Sequence, residues 1–146
     1  MNRFLLSSIS ILALTLVVAT PALAQQRGQG RNAANRMYDP STVETVQGVV
    51  ARIDTMQSRR GPSQGLHLQL QTGDTELPVH LGPTWFFADQ SFTFGVGDSL
   101  TVRGSRVTMG NADALIAAEV HRGDQSLRLR NDAGQPAWRG QRRNNR

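Results

Sequence analysis

Residues 66–81 read LHLQLQTGDTELPVHL, and this stretch decides the fold. Leucine or valine alternates with polar residues on both sides of Gly73-Asp74, which is the pattern of two half-buried strands joined by a tight turn. A two-residue turn with glycine first places Thr72 opposite Thr75. The same register sets the inner apolar residues against one another and puts His67 opposite His80.

Further strand-like segments lie on either side of this hairpin. A valine-rich segment, 43–53, precedes it, and Gly48 in its interior indicates a bulge or a sharp bend. The alternation breaks over 82–90, where Pro83 suits the first turn of a short helix. Strands are then expected over 99–102 and 106–109, interrupted at Gly104, and over 114–120 and 127–130.

This order of elements favours one architecture. Three strands, a short helix and two strands match a small five-stranded OB-like barrel with one short helix between strands 3 and 4. We therefore predict an all-β fold, with the barrel over about residues 43–122 and the whole domain over 38–132. A small β-sandwich is the alternative, and no long helical pattern supports an α/β fold.

The chain ends are expected to lie outside this domain. Residues 1–24 combine a positively charged start, an apolar run and a small-x-small pattern ending at Ala24, which is typical of a secretory signal peptide. We predict cleavage after Ala24, a periplasmic location and no transmembrane segment in the mature chain; an uncleaved anchor is the alternative. Residues 25–37 and 133–146 are basic, rich in Gly, Gln and Asn, and without apolar periodicity, so both are predicted to be disordered tails.

Charge and composition exclude several kinds of chemistry. The formal net charge is +5, and all sixteen basic residues are arginine. The tails hold three and four arginines without an acid (+3 and +4), whereas residues 38–132 hold eight arginines against eleven acids (−3). The lack of cysteine excludes disulfides, thiolate metal sites and c-type haem attachment. The lack of lysine excludes Schiff-base and P-loop chemistry, and no catalytic constellation emerges, so we do not expect an enzyme.

Four segments carry a resemblance to a known family. They are 79–86 (VHLGPTWF), 97–107 (GDSLTVRGSRV), 114–120 (ALIAAEV) and 127–140 (LRLRNDAGQPAWRG). In order and spacing they resemble the exported bacterial domain shared with the magnetosome proteins MamS and MamX, over about residues 38–140. The resemblance implies a small extracytoplasmic OB-like domain of undefined biochemistry. MamX-type proteins also carry haem-binding Cys-x-x-Cys-His motifs, which this chain lacks, so their electron-transfer role is not implied.

His67 and His80 are the strongest candidates for chemistry. In the predicted register they face each other at a non-hydrogen-bonded position, with Cβ atoms about 4.5–5.5 Å apart. Two imidazoles so placed can chelate Zn²⁺, Cu²⁺ or Ni²⁺. His121 or Glu119 is a candidate third ligand, because the fifth strand of an OB-like barrel lies next to the third. Ligand histidines must be neutral, so binding is expected to weaken below about pH 6.5. Two surface or mutually stacked histidines without a ligand are the alternative.

Two further clusters have a structural and a functional interpretation. Five aromatic residues are grouped in and after the short helix: Trp85, Phe86, Phe87, Phe92 and Phe94. They are expected to plug the core, with a stacking platform for single strands as the alternative. Arg128 and Arg130 alternate with leucines, which indicates a solvated strand face, with anion binding as the alternative.

Together these features predict an exported, non-enzymatic OB-like binding or accessory module, whose partner is an envelope protein or a small ligand. A periplasmic transition-metal binder using the histidine pair, with Zn or Cu as its metal, is one alternative. A polyanion or oligonucleotide binder acting through the arginine tails is another. The strands offer histidine and glutamine rather than arginine and aromatic residues, and the domain is slightly acidic, which argues against nucleic acid as the partner.

Overall fold

The computed structural model describes residues 36–57 and 63–141. The elements in chain order are β1 (Val43–Gln57), β2 (Gln64–Thr72), β3 (Thr75–Pro83), α1 (Thr84–Ala88), β4 (Ser99–Met109), β5 (Ala112–Arg122) and β6 (Gln125–Arg128). The predicted signal peptide, most of the predicted N-terminal tail and residues 142–146 lie outside the described residues. In the described part of the chain, no helix is long and apolar enough to cross a membrane.

The strands form one sheet that closes on itself. Its order is β3-β2-β1-β4-β5-β6, and an additional pairing of β3 with β5 closes a ring of five strands. Neighbours in this order are antiparallel, whereas the closing pair is parallel and joins Val79 to Leu115 and His80 to Ile116. The structure confirms the predicted all-β fold with a short helix between the third and fourth strands. The short strand β6 adds a sixth member outside the ring.

The β2–β3 hairpin has the register predicted from its alternation. Thr72 pairs with Thr75, Leu68 with Val79, and His67 with His80. Gly73 has a φ of 61°, and no described residue other than glycine has a positive φ. The turn is therefore of the type II′ geometry, in which only the first central residue needs the left-handed region. Four leucines of the two strands point inward and are fully or almost fully buried: Leu68, Leu70, Leu77 and Leu81.

Strand β1 changes partners near Gly48, where the sequence predicts a bulge or bend. Its first half pairs with β4 as far as Val49, and from Val49 onward it pairs with β2. The register shift itself lies between Val50 and Arg52. Gly48 is needed for a different reason: a Cβ there would lie 2.5 Å from the carbonyl oxygen of Gln71. The strand crosses its neighbour too closely for a side chain at this position.

The aromatic residues after β3 belong to the core. Phe86 and Phe92 are buried, and Trp85, Phe87 and Phe94 pack against the same cluster. Their rings meet at angles: Phe86 and Phe87 have centroids 5.4 Å apart and nearly perpendicular planes. Edge-to-face contacts of this kind stabilise aromatic pairs beyond their buried area. The core-plug interpretation therefore describes the cluster better than a stacking platform does.

The chain from Ala133 to Gln141 is folded onto the domain, so the prediction of disorder from Ala133 onward is wrong for these residues. Trp138 is 7% exposed and belongs to the core cluster. The Ala137 amide donates to the Leu129 carbonyl at 2.9 Å, and Arg130 forms a β-bridge with Pro136. The composition of residues 133–146 indicates disorder because Trp138 is their single large apolar residue. In the structure the Trp138 indole packs against Gly82 on β3 and Phe86 on α1.

Candidate functional site

The histidine pair lies on the outer side of the β2–β3 hairpin. His67 and His80 are cross-strand partners, and their ring centroids are 4.1 Å apart with an interplanar angle of 63°. A register shift between Leu66 and His67 sits beside the pair. A Cβ at position 65 would lie 3.0 Å from Nε2 of His67, so this imidazole extends over the backbone of Gly65. The two rings are therefore brought together by the backbone of one hairpin.

Both imidazoles are held neutral near pH 7. Burial, together with smaller contributions from His67 and Arg130, lowers the pKa of His80 to about 4. Burial also lowers the pKa of His67, while the nearby Asp54 carboxylate opposes that shift. A neutral imidazole keeps a lone pair free for a metal ion or a hydrogen bond. The pair is thus protonated less readily than two solvent-exposed histidines.

Asp54 is a neighbour of the pair that the sequence did not reveal. It is the β1 partner of His67, and its carboxylate accepts from Nε of Arg52 at 2.8 Å. The row Asp54, His67, His80 therefore runs across three adjacent strands. The register of the β2–β3 hairpin follows from local alternation, whereas β1 is joined to β2 through residues 58–63, and the alternation around the hairpin turn does not set the β1–β2 register. No local signal in the sequence marked Asp54.

The structure places the other two predicted ligands, His121 and Glu119, away from the pair. His80 pairs with Ile116 on β5, and His121 lies five positions further along that strand, roughly 16 Å at the usual rise per residue. There Nε2 of His121 lies 3.3 Å from Glu119 Oε1. Across residues 36–57 and 63–141, no group of three or more His, Cys, Asp or Glu side chains could hold a metal ion. The pair offers two imidazole ligands, and the metal site stays a prediction.

Arg130 occupies the point where β3 and β5 separate. The β3–β5 ladder joins residues 79 and 80 to 115 and 116, so the next register position would set Leu81 opposite Ala117. Nη1 of Arg130 donates to both of these carbonyl oxygens, at 3.1 Å to Leu81. The side chain supplies donors where the ladder ends. Its guanidinium carbon also lies 4.9 Å from the centroid of the Trp138 ring.

The predicted solvated face of Arg128 and Arg130 holds for only one of the two. Arg128 is exposed, whereas Arg130 is 2% exposed and ranks among the buried polar residues. Strand β6 ends at Arg128, so the alternation does not continue to Arg130. Burial lowers the pKa of Arg130 to about 10, which leaves the guanidinium charged at neutral pH. Nε of Arg130 is buried and has no hydrogen-bond partner within the described residues.

The fold and the histidine pair define a small all-β domain built on a ring of five strands, with a two-imidazole site on its outer surface. Residues 42–127 match the model of the MamS/MamX magnetosome protein family, and the chain belongs to this family. The match includes both histidines and ends before Arg128, Arg130 and Trp138. No curated protein matches the sequence significantly.

Proposed function

We propose that this chain is an exported, non-enzymatic accessory module that binds a transition-metal ion through His67 and His80. The observation that carries the proposal is the cross-strand contact of two neutral imidazoles, with ring centroids 4.1 Å apart, within one β-hairpin. Imidazole nitrogen is a preferred ligand of Zn²⁺ and Cu²⁺. Because both side chains are already fixed next to each other, little ordering is needed when a metal binds.

His67 and His80 supply only two of the ligands that a bound ion needs, and the number of protein ligands indicates how readily the ion is exchanged. A structural zinc site has four protein ligands, whereas a site with open positions exchanges ligands readily. Two imidazoles from one chain leave positions for water, a small ligand or a partner protein. We therefore propose that the protein binds or transfers the ion reversibly and that the ion is not a structural metal.

Export and the absence of catalysis rest on separate support. The charged start, apolar run and small-x-small motif of residues 1–24 support secretion, and membership of a magnetosome-associated family agrees with an envelope setting. The sequence has no lysine, no cysteine, no HExxH and no P-loop motif, which supports a binding role. In this proposal the two imidazoles act as metal ligands and not as a general acid or base.

Calorimetric titration of the purified protein with Zn²⁺ and with Cu²⁺ tests the proposal. We expect one equivalent to bind to the wild type, and His67→Ala and His80→Ala each to abolish that heat. His121→Ala is the matched control, since it removes a histidine on a different stretch of sheet. Binding that survives in both pair variants, or that is lost in His121→Ala, contradicts the proposal.

A further inference from the structure

A basic groove lies beside the segment that follows β6. Its two sides are residues 128–131 and 135–139, held together by the Arg130–Pro136 bridge and by the Asn131 amide, which donates to the Gln135 carbonyl at 3.0 Å. The groove has a volume of about 310 Å³ and is lined by Arg128, Arg130 and Arg139 together with Asn131, Gln135 and Pro136. Its walls are therefore formed by a folded segment and not by a free chain end.

The positive charge of the groove is only partly compensated. Among the described residues, the one carboxylate paired with its arginines is Asp132, 3.4 Å from Nη2 of Arg128. Asp132 also pairs with Arg103 at 3.3 Å, so its charge is shared. Arg130 and Arg139 form no ion pair within the described part of the chain. Three arginines against one shared carboxylate leave an excess of about two positive charges.

The positive charge of Arg130 is held in place by its contacts with the rest of the fold. Its guanidinium is held by the carbonyls of Leu81 and Ala117 and by the Trp138 ring, so it cannot move out to water. A buried charge without a counter-ion is costly, and a bound anion lowers that cost. Arg128 and Arg139 are exposed at the rim; Arg128 pairs with Asp132 and donates from Nε to the Arg130 carbonyl at 3.2 Å, and its remaining donors and those of Arg139 face solvent. Their planar forks match the oxygens of a phosphate group.

We propose that this groove binds a phosphate group, either as the free ion or as part of a phosphate polymer. The three arginines supply the charge for a dianion, and the Gln135 amide adds a neutral polar group at the rim. Phosphate is favoured over a single carboxylate because the excess charge exceeds one. This site is separate from the histidine pair, and neither proposal depends on the other.

Titration of the purified protein with inorganic phosphate, followed by NMR, tests the site. We expect the indole N–H signal of Trp138, assigned with the Trp85→Phe variant, to shift with saturation. Arg139→Gln and Arg128→Gln should each weaken binding by about tenfold, roughly the effect of losing one charge-assisted hydrogen bond. Arg52→Gln is the matched control, because it removes an arginine from β1, outside the groove. Both rim arginines are exposed, so these variants should fold.

A second titration with a short deoxythymidine oligonucleotide identifies the source of the phosphate. Saturable binding of the free ion with the Trp138 shift supports an ion site. Steeply salt-dependent binding of the oligonucleotide that depends on the same two rim arginines supports a polymer site. No shift of Trp138 with either probe, or equal losses in Arg52→Gln and the rim variants, would overturn the proposal.

Discussion

The guanidinium of Arg130 lies over the ring of Trp138, 4.9 Å from its centroid. It thereby connects the segment 133–141 to the place where β3 and β5 separate. Trp138 in turn packs on Phe86, with ring centroids 5.3 Å apart, and a Cβ at position 82 would lie 2.6 Å from the indole. Gly82 therefore leaves room for the indole on β3. The C-terminal segment is a structural part of the domain.

Two truncations of the chain test how much residues 133–141 contribute to the free energy of unfolding. Removal of residues 142–146 should leave the free energy of unfolding nearly unchanged. Removal of residues 133–146, or Trp138→Ala, should lower it by about 3–5 kcal/mol because a buried indole is lost from the core. Urea denaturation of the three variants measures this. Equal stability of the two truncated proteins would show that the segment contributes nothing to the fold.

Replacing Arg130 tests its role at the seam between β3 and β5. Arg130→Met keeps much of the volume but leaves the carbonyls of Leu81 and Ala117 without these donors. We expect a loss of about 1–3 kcal/mol, since unpaired buried carbonyls cost more than the relief of a buried charge returns. Arg128→Met, two residues earlier and exposed, should be neutral. A more stable Arg130→Met protein would mean that the desolvation of the guanidinium dominates.

The histidine pair should make stability depend on pH. The pKa of His80 is about 4 in the folded state, and that of His67 is also lowered, against an ordinary value of 6.5. The unfolded chain therefore binds more protons between about pH 6.5 and 4, so the folded state loses stability as pH falls through this window. Allowing for partial exposure, the loss due to His80 is on the order of 1–2 kcal/mol.

Thermal unfolding at a series of pH values measures this dependence. His80→Gln should flatten the profile between about pH 6.5 and 4. Metal binding should likewise persist below the ordinary pKa of histidine, further than the sequence alone indicates. A profile that is unchanged in His80→Gln would show that this imidazole titrates normally.

The parts of the site that the sequence predicted are those fixed by local pattern. The Gly73-Asp74 turn and the strict alternation around it determine that His67 faces His80, without help from the rest of the fold. The adjacency of the third and fifth strands was also predicted, and β3 does pair with β5. The offset between these strands is set by the length of the segment between them and by distant packing. His121 for this reason lies well beyond the pair.

The burial of Arg130 could not be read from its surroundings in the sequence. Leu127, Arg128, Leu129 and Arg130 alternate as a half-exposed strand would. The strand ends at Arg128, and the chain then turns so that Arg130 meets the open carbonyls of other strands. Tertiary contacts with β3 and β5, remote in sequence, decide the direction of this side chain.

The most direct test of the metal-binding account is a crystal structure of the protein with Zn²⁺, with the ion located by its anomalous signal. We predict one peak between the rings of His67 and His80, about 2.0–2.1 Å from a nitrogen of each. His67→Ala should lose that peak. A peak only at His121 and Glu119, or none near the hairpin at saturating zinc, would contradict the account.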